Sequence, residues 1–558
     1  MRTPRRLLVS LSLVVAGVLI PRAGAAQWQF NGNAISIAPS DQEVPVAICD
    51  GAGGVIVAWR DSRNGHYDVY MQRIDGGGAV QWTIDGVPVC TLTGDQYAAA
   101  LDSDGAGGAI VSWHDARSGN FDIYAQRIDA AGAVQWALDG QSLCTATNHQ
   151  WGPVVVVEGG SAIVAWRDTR SGNHDIYAQR IDDQGIVQWT ANGEALCTAA
   201  NNQWAPAIAS DGAGGAIVTW FDFRSGNFDV YAQRIDAMGA VQWTADGVAL
   251  CTAVDDQESP EIVADGAGGA FVAWHDGRGS TFDIYAQRVD ASGAPQWTSD
   301  GVAVCTAPSH QWFPVLVPDG VGGVIVTWYD LRTGAYDIYA QRIDGSGVAQ
   351  WTANGVAMCT AANNQWTPAI ATDGAGGAIV TWHDFRAGTP DIYAQRVDGA
   401  GVVQWTANGV ALCNAINDQE TTTIATDGAG GAMVAWHDFR RNNGDIYAQR
   451  VTAAGDVLSA VRGPAGPLPF SVGEVAPNPT TGAAWIDIDM AVASQVRVDL
   501  FDVAGRMVRT ISGAGVAGPV RIEWDGRDQR GRGLPSGVYF CRVTGSGATV
   551  TRKFVIAR

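Results

Sequence analysis

Pro206-Ala207-Ile208-Ala209-Ser210-Asp211-Gly212-Ala213-Gly214-Gly215-Ala216-Ile217-Val218-Thr219-Trp220-Phe221-Asp222-Phe223-Arg224-Ser225-Gly226-Asn227-Phe228-Asp229-Val230-Tyr231-Ala232-Gln233-Arg234-Ile235-Asp236 is one copy of a passage that this chain writes eight times. Its tryptophan recurs at Trp59, Trp113, Trp166, Trp220, Trp274, Trp328, Trp382 and Trp436, at intervals of 54 residues with one of 53. The first seven copies run on into a second tryptophan and a cysteine, here Gln242-Trp243-Thr244 and Val248-Ala249-Leu250-Cys251. Self-similarity at so long a period signals a solenoid or a propeller. It also weakens an enzyme reading, because a residue present eight times is a poor unique nucleophile.

Within this copy, residues 205–210 read as a short strand and Asp211-Gly212-Ala213-Gly214-Gly215 as a tight turn. Residues 216–220 alternate and are β-branched, 221–228 read as a polar loop, and 229–235 as a third strand. Residues 240–251 hold a fourth, interrupted at Asp246-Gly247. No segment keeps a helical apolar period beyond one turn, so the chain reads as all-β. Four short antiparallel strands repeated eight times predict an eight-bladed β-propeller. The phase of the repeat favours a closed ring over an open solenoid. The chain enters on Gln27-Trp28 and Asn31-Gly32, which match the fourth-strand text at Gln404-Trp405 and Asn408-Gly409, and leaves the repeats after a third strand at 445–451. The first piece would then complete the last blade and leave no exposed edge. The stretch from the D-G-x-G-G turn through D-x-R to D-I-Y resembles the TolB-like propeller repeats over about 30 residues of each copy. That resemblance supports the fold and implies no activity.

The N-terminus reads as an export signal: Arg2, Arg5 and Arg6, an apolar run at 7–20, then Ala23-Gly24-Ala25-Ala26. We expect 1–26 to be a signal peptide, 27–456 the propeller, 457–470 a Pro/Gly linker and 471–558 a further domain. The mature protein is expected to be exported and not membrane-spanning. Residues 27–470 carry 20 Arg against 48 acids, a formal charge of −28, while 471–558 carry 11 basic and 8 acidic groups, or +3. A field that negative argues against nucleic acid as a partner. Seven of the nine cysteines (Cys90, Cys144, Cys197, Cys251, Cys305, Cys359, Cys413) fill one slot in successive copies. Neighbouring packed sheets lie about 10 Å apart, too far for a disulfide, so these read as small buried apolar residues. Ser36 stands in that slot in the first, partial copy.

Residues identical in all copies, such as the Asp222-x-Arg224 pair and Arg234, read as scaffold; function is sought where the copies differ. After the first tryptophan stand Arg60, His114, Arg167, Phe221, His275, Tyr329, His383 and His437. After the connector glutamine stand Glu43, Tyr97, Trp151, Trp204, Glu258, Trp312, Trp366 and Glu420. Both positions are expected in loops opening on one face, and all eight histidines fall in those loops. The candidate ligand-binding residues are therefore Trp151, Trp204, Trp312, Trp366, His114, His275, His383 and His437. Aromatic platforms beside polar groups suit a glycan or a peptide. No H-x-x-x-H spacing, phosphate loop or nucleophile elbow is present, so no catalytic residue, metal or cofactor is assigned.

After Asp456 the repeat stops. Short β-type segments follow at 484–490, 495–502, 519–524, 537–544 and 549–557, which read as a small β-sandwich. Pro477-Asn478-Pro479-Thr480-Thr481-Gly482, Val498-Asp499-Leu500-Phe501-Asp502-Val503-Ala504-Gly505-Arg506, Trp524-Asp525-Gly526-Arg527-Asp528 and Leu534-Pro535-Ser536-Gly537-Val538-Tyr539 occur in that order. This region resembles the flagellar-hook-cap-type Ig-like domain and overlaps the type A sorting domain of type IX secretion, over about 80 residues. The resemblance implies contact with a secretion machinery and attachment at the cell surface. The sequence thus favours an exported, non-enzymatic binding protein for a glycan or protein. An extracellular polysaccharide hydrolase or lyase, and a structural adhesive component, are the alternatives.

Overall fold

The computed structural model describes residues 28–457 and 470–557, apart from 491–494, 504–505, 515–517 and 546–547. The expected signal peptide and nearly all of the expected linker lie outside the described residues. The chain divides into two compact units, 1–460 and 461–558.

The first unit is all β and holds eight four-stranded antiparallel sheets. Blade 4 shows the pattern: Gln203–Ser210, Ala216–Asp222, Asp229–Ile235 and Val248–Cys251, paired in chain order. Three boundaries differ from the sequence reading. The first strand begins two residues earlier, at Gln203. The second strand runs on through Phe221 and Asp222, and the fourth is only the four residues after Gly247. The first strands of blades 1 to 8, beginning at Gln42, Gln96, Gln150, Gln203, Gln257, Gln311, Gln365 and Gln419, pack on one another in succession, and the last packs on the first. The ring is closed and its centre is lined by these first strands. In blade 8 the fourth strand is supplied by the start of the chain. Asn33–Ser36 pairs antiparallel with Asp445–Val451 in the register Asn33↔Ala448, Ala34↔Tyr447 and Ser36↔Ile446.

A side-chain knot recurs at each blade joint. In blade 4, Trp220 Nε1 donates to Asp222 Oδ2 at 2.9 Å and Arg224 Nη2 binds the same oxygen at 2.5 Å. Arg224 also donates to the Asp246 carbonyl at 2.8 Å and lies 3.9 Å over the Tyr231 ring. It reaches Cys197 Sγ of blade 3 at 3.2 Å, and the Cys197 thiol approaches Asp222 at 3.8 Å. The repeat cysteines are therefore more than apolar filler: each is free and buried, and each polar sulfur touches the Asp–Arg pair of the next blade. Burial pushes the Cys197 thiol up to about 12. At the closing joint Ser36 takes the cysteine's place, accepting from Arg63 Nη2 at 3.3 Å. The second tryptophan of each copy bridges likewise: Trp82 Nε1 donates to the Ala130 carbonyl of blade 2, and Trp28 Nε1 to Gly76 of blade 1, both at 3.1 Å. The D-G-x-G-G aspartate is fully used within its turn, since Asp211 accepts from the Ala213 and Gly215 amides and from Arg234.

The second unit is a β-sandwich of a three-stranded sheet (Phe470–Ala476, Ala484–Met490, Gly518–Trp524) and a four-stranded sheet (Met507–Ala514, Gln495–Asp502, Gly537–Gly545, Ala548–Ile556). The strands at Phe470–Ala476 and Met507–Ala514 escaped the sequence reading. Ile488, Val498, Trp524, Val543 and Phe554 form its core.

Candidate functional site

The two variable positions are not in loops, as the sequence reading placed them, but in strands. They are cross-strand neighbours in all eight blades: Glu43↔Arg60, Tyr97↔His114, Trp151↔Arg167, Trp204↔Phe221, Glu258↔His275, Trp312↔Tyr329, Trp366↔His383 and Glu420↔His437. Directly opposed residues share a sheet face, so each blade presents one variable pair at one end of the innermost strands. Strand alternation explains the separation: Trp220 and Asp222 point into one blade joint, and Phe221 between them points to the other side.

A third variable position joins this rim, the residue just before the D-I-Y strand. Tyr67, Phe121, His174, Phe228, Phe282 and Tyr336 occupy it, with Pro390 and Gly444 in the last two blades. Its signal in the sequence was an aromatic ring in six of eight copies, and only His174 had been counted. Together the three positions build two aromatic arcs. The first links Tyr67 to Tyr97 (5.3 Å), Phe121 to Trp151 (6.4 Å), Trp151 to His174 (5.6 Å) and His174 to Trp204 (4.7 Å). Arg167 lies between Trp151 and Trp204, 4.9 and 5.0 Å from their rings. The second arc runs through Phe282, Trp312, Phe313, Tyr329, Tyr336 and Trp366, with centroids 4.9–6.4 Å apart at each step.

Not all predicted residues are equally available. Trp151 stacks on His149 at 5.0 Å, and Trp204 packs on His174 and Arg167. Trp312 is held among His275, Phe282 and His310. Trp366 is the exposed one, at 38 %. Beside it in the same arc stands Phe313, 47 % exposed, which the sequence reading passed over. Phe313 fills a β-bulge slot that carries Val44, Gly152, Ala205, Ser259, Thr367 or Thr421 in other blades, and it holds φ at 51°. The left-handed backbone belongs to the bulge itself, since Val44, Ala205, Ser259, Thr367 and Thr421 hold it too; what sets blade 6 apart is the exposed aromatic ring in that slot.

The histidines pack against neighbouring rings and accept hydrogen bonds. Burial lowers His114 to about 4, with Arg167 adding to it, and burial alone lowers His383 to about 4. His383 Nε2 accepts from the Thr422 amide at 3.3 Å and lies 3.1 Å from Thr367 Oγ1. Burial lowers His437 as well; its ring lies tilted against Phe439 at 4.2 Å and fills the space that a side chain at Gly444 would take. His149 and His310 cap loops, each Nδ1 accepting a backbone amide at 3.1 Å, as Asp95 and Asn202 do in their blades. His275 is brought against Glu258, Nε2 to Oε2 at 3.4 Å. Among the described residues no group of three or more His, Cys, Asp or Glu is placed to hold a metal ion. No described helix is long and apolar enough to cross a membrane.

Residues 478–549 match the FlgD Ig-like domain family. No curated protein matches the chain. Among solved structures, a protein of unknown function from Dyadobacter fermentans is 11 % identical, covering 77 % of this chain and 98 % of its own at a TM-score of 0.40. A polysaccharide lyase of family PL25, an ulvan lyase, is 12 % identical, with 78 % and 97 % covered and a TM-score of 0.41. The Penicillium chrysogenum α-L-arabinanase is 14 % identical, with 58 % and 99 % covered and a TM-score of 0.30. Likeness at these levels assigns no activity.

Proposed function

We propose that this is an exported recognition protein whose propeller rim binds an extracellular glycan, with the C-terminal Ig-like unit serving export or attachment. The observation that carries the reading is the exposed aromatic arc of Phe313 and Trp366, built on positions that vary against an otherwise repeated scaffold. Flat rings backed by polar groups bind the apolar faces of sugar rings, and aromatic anchors dominate binding energy at such sites. The −28 charge of residues 27–470 disfavours polyanionic chains and leaves neutral polysaccharide as the preferred class.

The test is binding of the full chain to an array of neutral glycans, compared with a Phe313→Ala/Trp366→Ala variant. We expect the variant to lose at least about tenfold in affinity, which is 1.4 kcal/mol, with its unfolding midpoint unchanged. Equal binding by the variant would return the arc to the scaffold. An empty array together with concentration-dependent self-association would favour the structural adhesive reading. For the C-terminal unit, deletion of 471–558 is expected to shift the protein between the surface and the medium or the cell interior; unchanged partitioning would leave that unit an accessory domain.

A further inference from the structure

We propose that the Arg167 guanidinium, held between Trp151 and Trp204, binds the carboxylate of an acidic sugar carried on a largely neutral glycan. This deepens the recognition reading and rests on it.

Cross-strand pairing sets the site apart. Arg60 in blade 1 and Arg167 in blade 3 occupy the same position of the repeat, yet their partners differ. Arg60 stands opposite Glu43, and its Nε and Nη2 donate to that carboxylate at 2.8 and 2.5 Å. Arg167 stands opposite Trp151 instead. Among the described residues no carboxylate or carbonyl accepts from it, and its Nε is buried without a partner. Burial, unopposed by any nearby acid, lowers its pKa. Its guanidinium lies 4.9 and 5.0 Å from the two tryptophan rings. Ring faces attract a cation, but they leave the in-plane N–H donors of arginine without acceptors. A half-buried charge so placed gains from an anion that can reach it.

The neighbouring imidazoles are short of partners too. Nδ1 of His114 and Nδ1 of His174 are buried with none. Burial lowers the pKa of both rings, and the Arg167 charge lowers both further. Both are therefore neutral near pH 7, and each has one N–H to give. Three nitrogens without partners thus gather on one stretch of the rim, and an anion at the guanidinium edge supplies acceptor oxygens where none is present.

The site is open and free of competing charge. Trp151, Arg167 and Trp204 are half-buried and Gly152 is exposed; a Cβ at Gly152 would meet no atom within 4 Å. The bulge slot that blade 6 fills with Phe313 is empty of side chain here. None of the three rim positions in blades 2, 3 and 4 carries an acid, whereas Glu43, Glu258 and Glu420 stand in blades 1, 5 and 8. The strongly negative propeller rejects a polyanion, and a lone carboxylate avoids most of that repulsion. Shape selects the carboxylate over a sulfate. With a ring on either side of the guanidinium, a ligand can approach only along its edge. A planar carboxylate meets that edge with two parallel hydrogen bonds, while a tetrahedral sulfate turns an oxygen toward each ring.

The experiment measures binding of the full chain to an array that presents each neutral oligosaccharide in four forms. These are the unmodified form, one with a single terminal uronic acid, one with that carboxyl reduced to the alcohol, and one with a single terminal sulfate. We expect a uronic-acid form to bind about tenfold or more tighter than its carboxyl-reduced twin. That preference should vanish in two variants. Arg167→Phe reproduces in blade 3 the pair that blade 4 holds at Trp204↔Phe221, and Trp151→Glu reproduces the pair that blade 1 holds at Glu43↔Arg60. Both pairs already exist in this propeller, so both variants are expected to keep the parent's unfolding midpoint. Equal binding of the acidic and carboxyl-reduced forms, beside bound neutral forms, would overturn this inference and leave recognition standing. A preference that survives Arg167→Phe, or tighter binding of the sulfate form, would overturn it too. Absence of any bound glycan would sink both readings together.

Discussion

Trp220 and Asp222 belong to one regime and Phe221, the residue between them, to another. The two flanking residues are repeated in every blade and locked into a knot of ring, carboxylate, guanidinium and thiol. The middle position is Arg, His, Phe or Tyr according to the blade. One strand thus carries invariance on one face and variation on the other. A repeated fold can diversify a surface without disturbing its joints if the two are assigned to opposite parities of the same strand.

Asp222→Ala is the strongest way to break this contrast. It removes the carboxylate shared by Trp220, Arg224 and Cys197 and leaves a guanidinium uncompensated in a blade joint. We expect a loss of about 3–5 kcal/mol by denaturant titration; a mild effect would mean that the repeated knot is not what holds the blades. Gly132→Ala should cost about 1–3 kcal/mol, because Gly132 sits at φ 84° and a Cβ there would meet Trp82 at 2.7 Å. Asp391 tests the pH dependence of the joints. It faces Asp384 across the strand pair, and burial, then Asp384, pushes its carboxyl up to about 7. The fold prefers the protonated acid, so stability from this group is fullest below its ordinary 3.8 and is lost as pH rises to about 7. Asp391→Asn should therefore gain on the parent across that window, by at most about 1.4 kcal/mol per pH unit, and show no further gain above it. At the small end, Phe313→Ala/Trp366→Ala should change stability by less than about 1 kcal/mol. A larger loss would move the arc into the scaffold class.

The repeat made the fold legible because its period, its β-type alternation and the matching text at Trp28 and Trp405 all point to a closed ring. The Ig-like unit was legible in its ordered turn motifs, though the strands at Phe470–Ala476 and Met507–Ala514 were not. The rim was legible only in part. A bulge with positive φ, at Val44 through Thr421, shifts the register of each first strand by one residue. Counting alternation through it therefore puts the residues beyond the bulge on the wrong face. Phe313 could have been found as the one aromatic residue in a slot of smaller ones. The reading compared only the positions that varied most. The histidines misled because imidazole caps and packs as readily as it reacts, and only burial tells these apart.

The chain's own beginning supplies the last strand of the ring, and this sets an order of events in time. Asn33–Ser36 is made first but finds its partner, Asp445–Val451, only after some 400 further residues exist. Closing so long a loop is slow in proportion to its sequence separation rather than costly at equilibrium. Until then the third strand of blade 8 stands as an open edge, ready to pair with whatever strand arrives. A circular permutant that moves residues 28–40 to follow Asp456 would turn that closure into a local hairpin. Its faster refolding and lower aggregation would measure what the waiting strand costs.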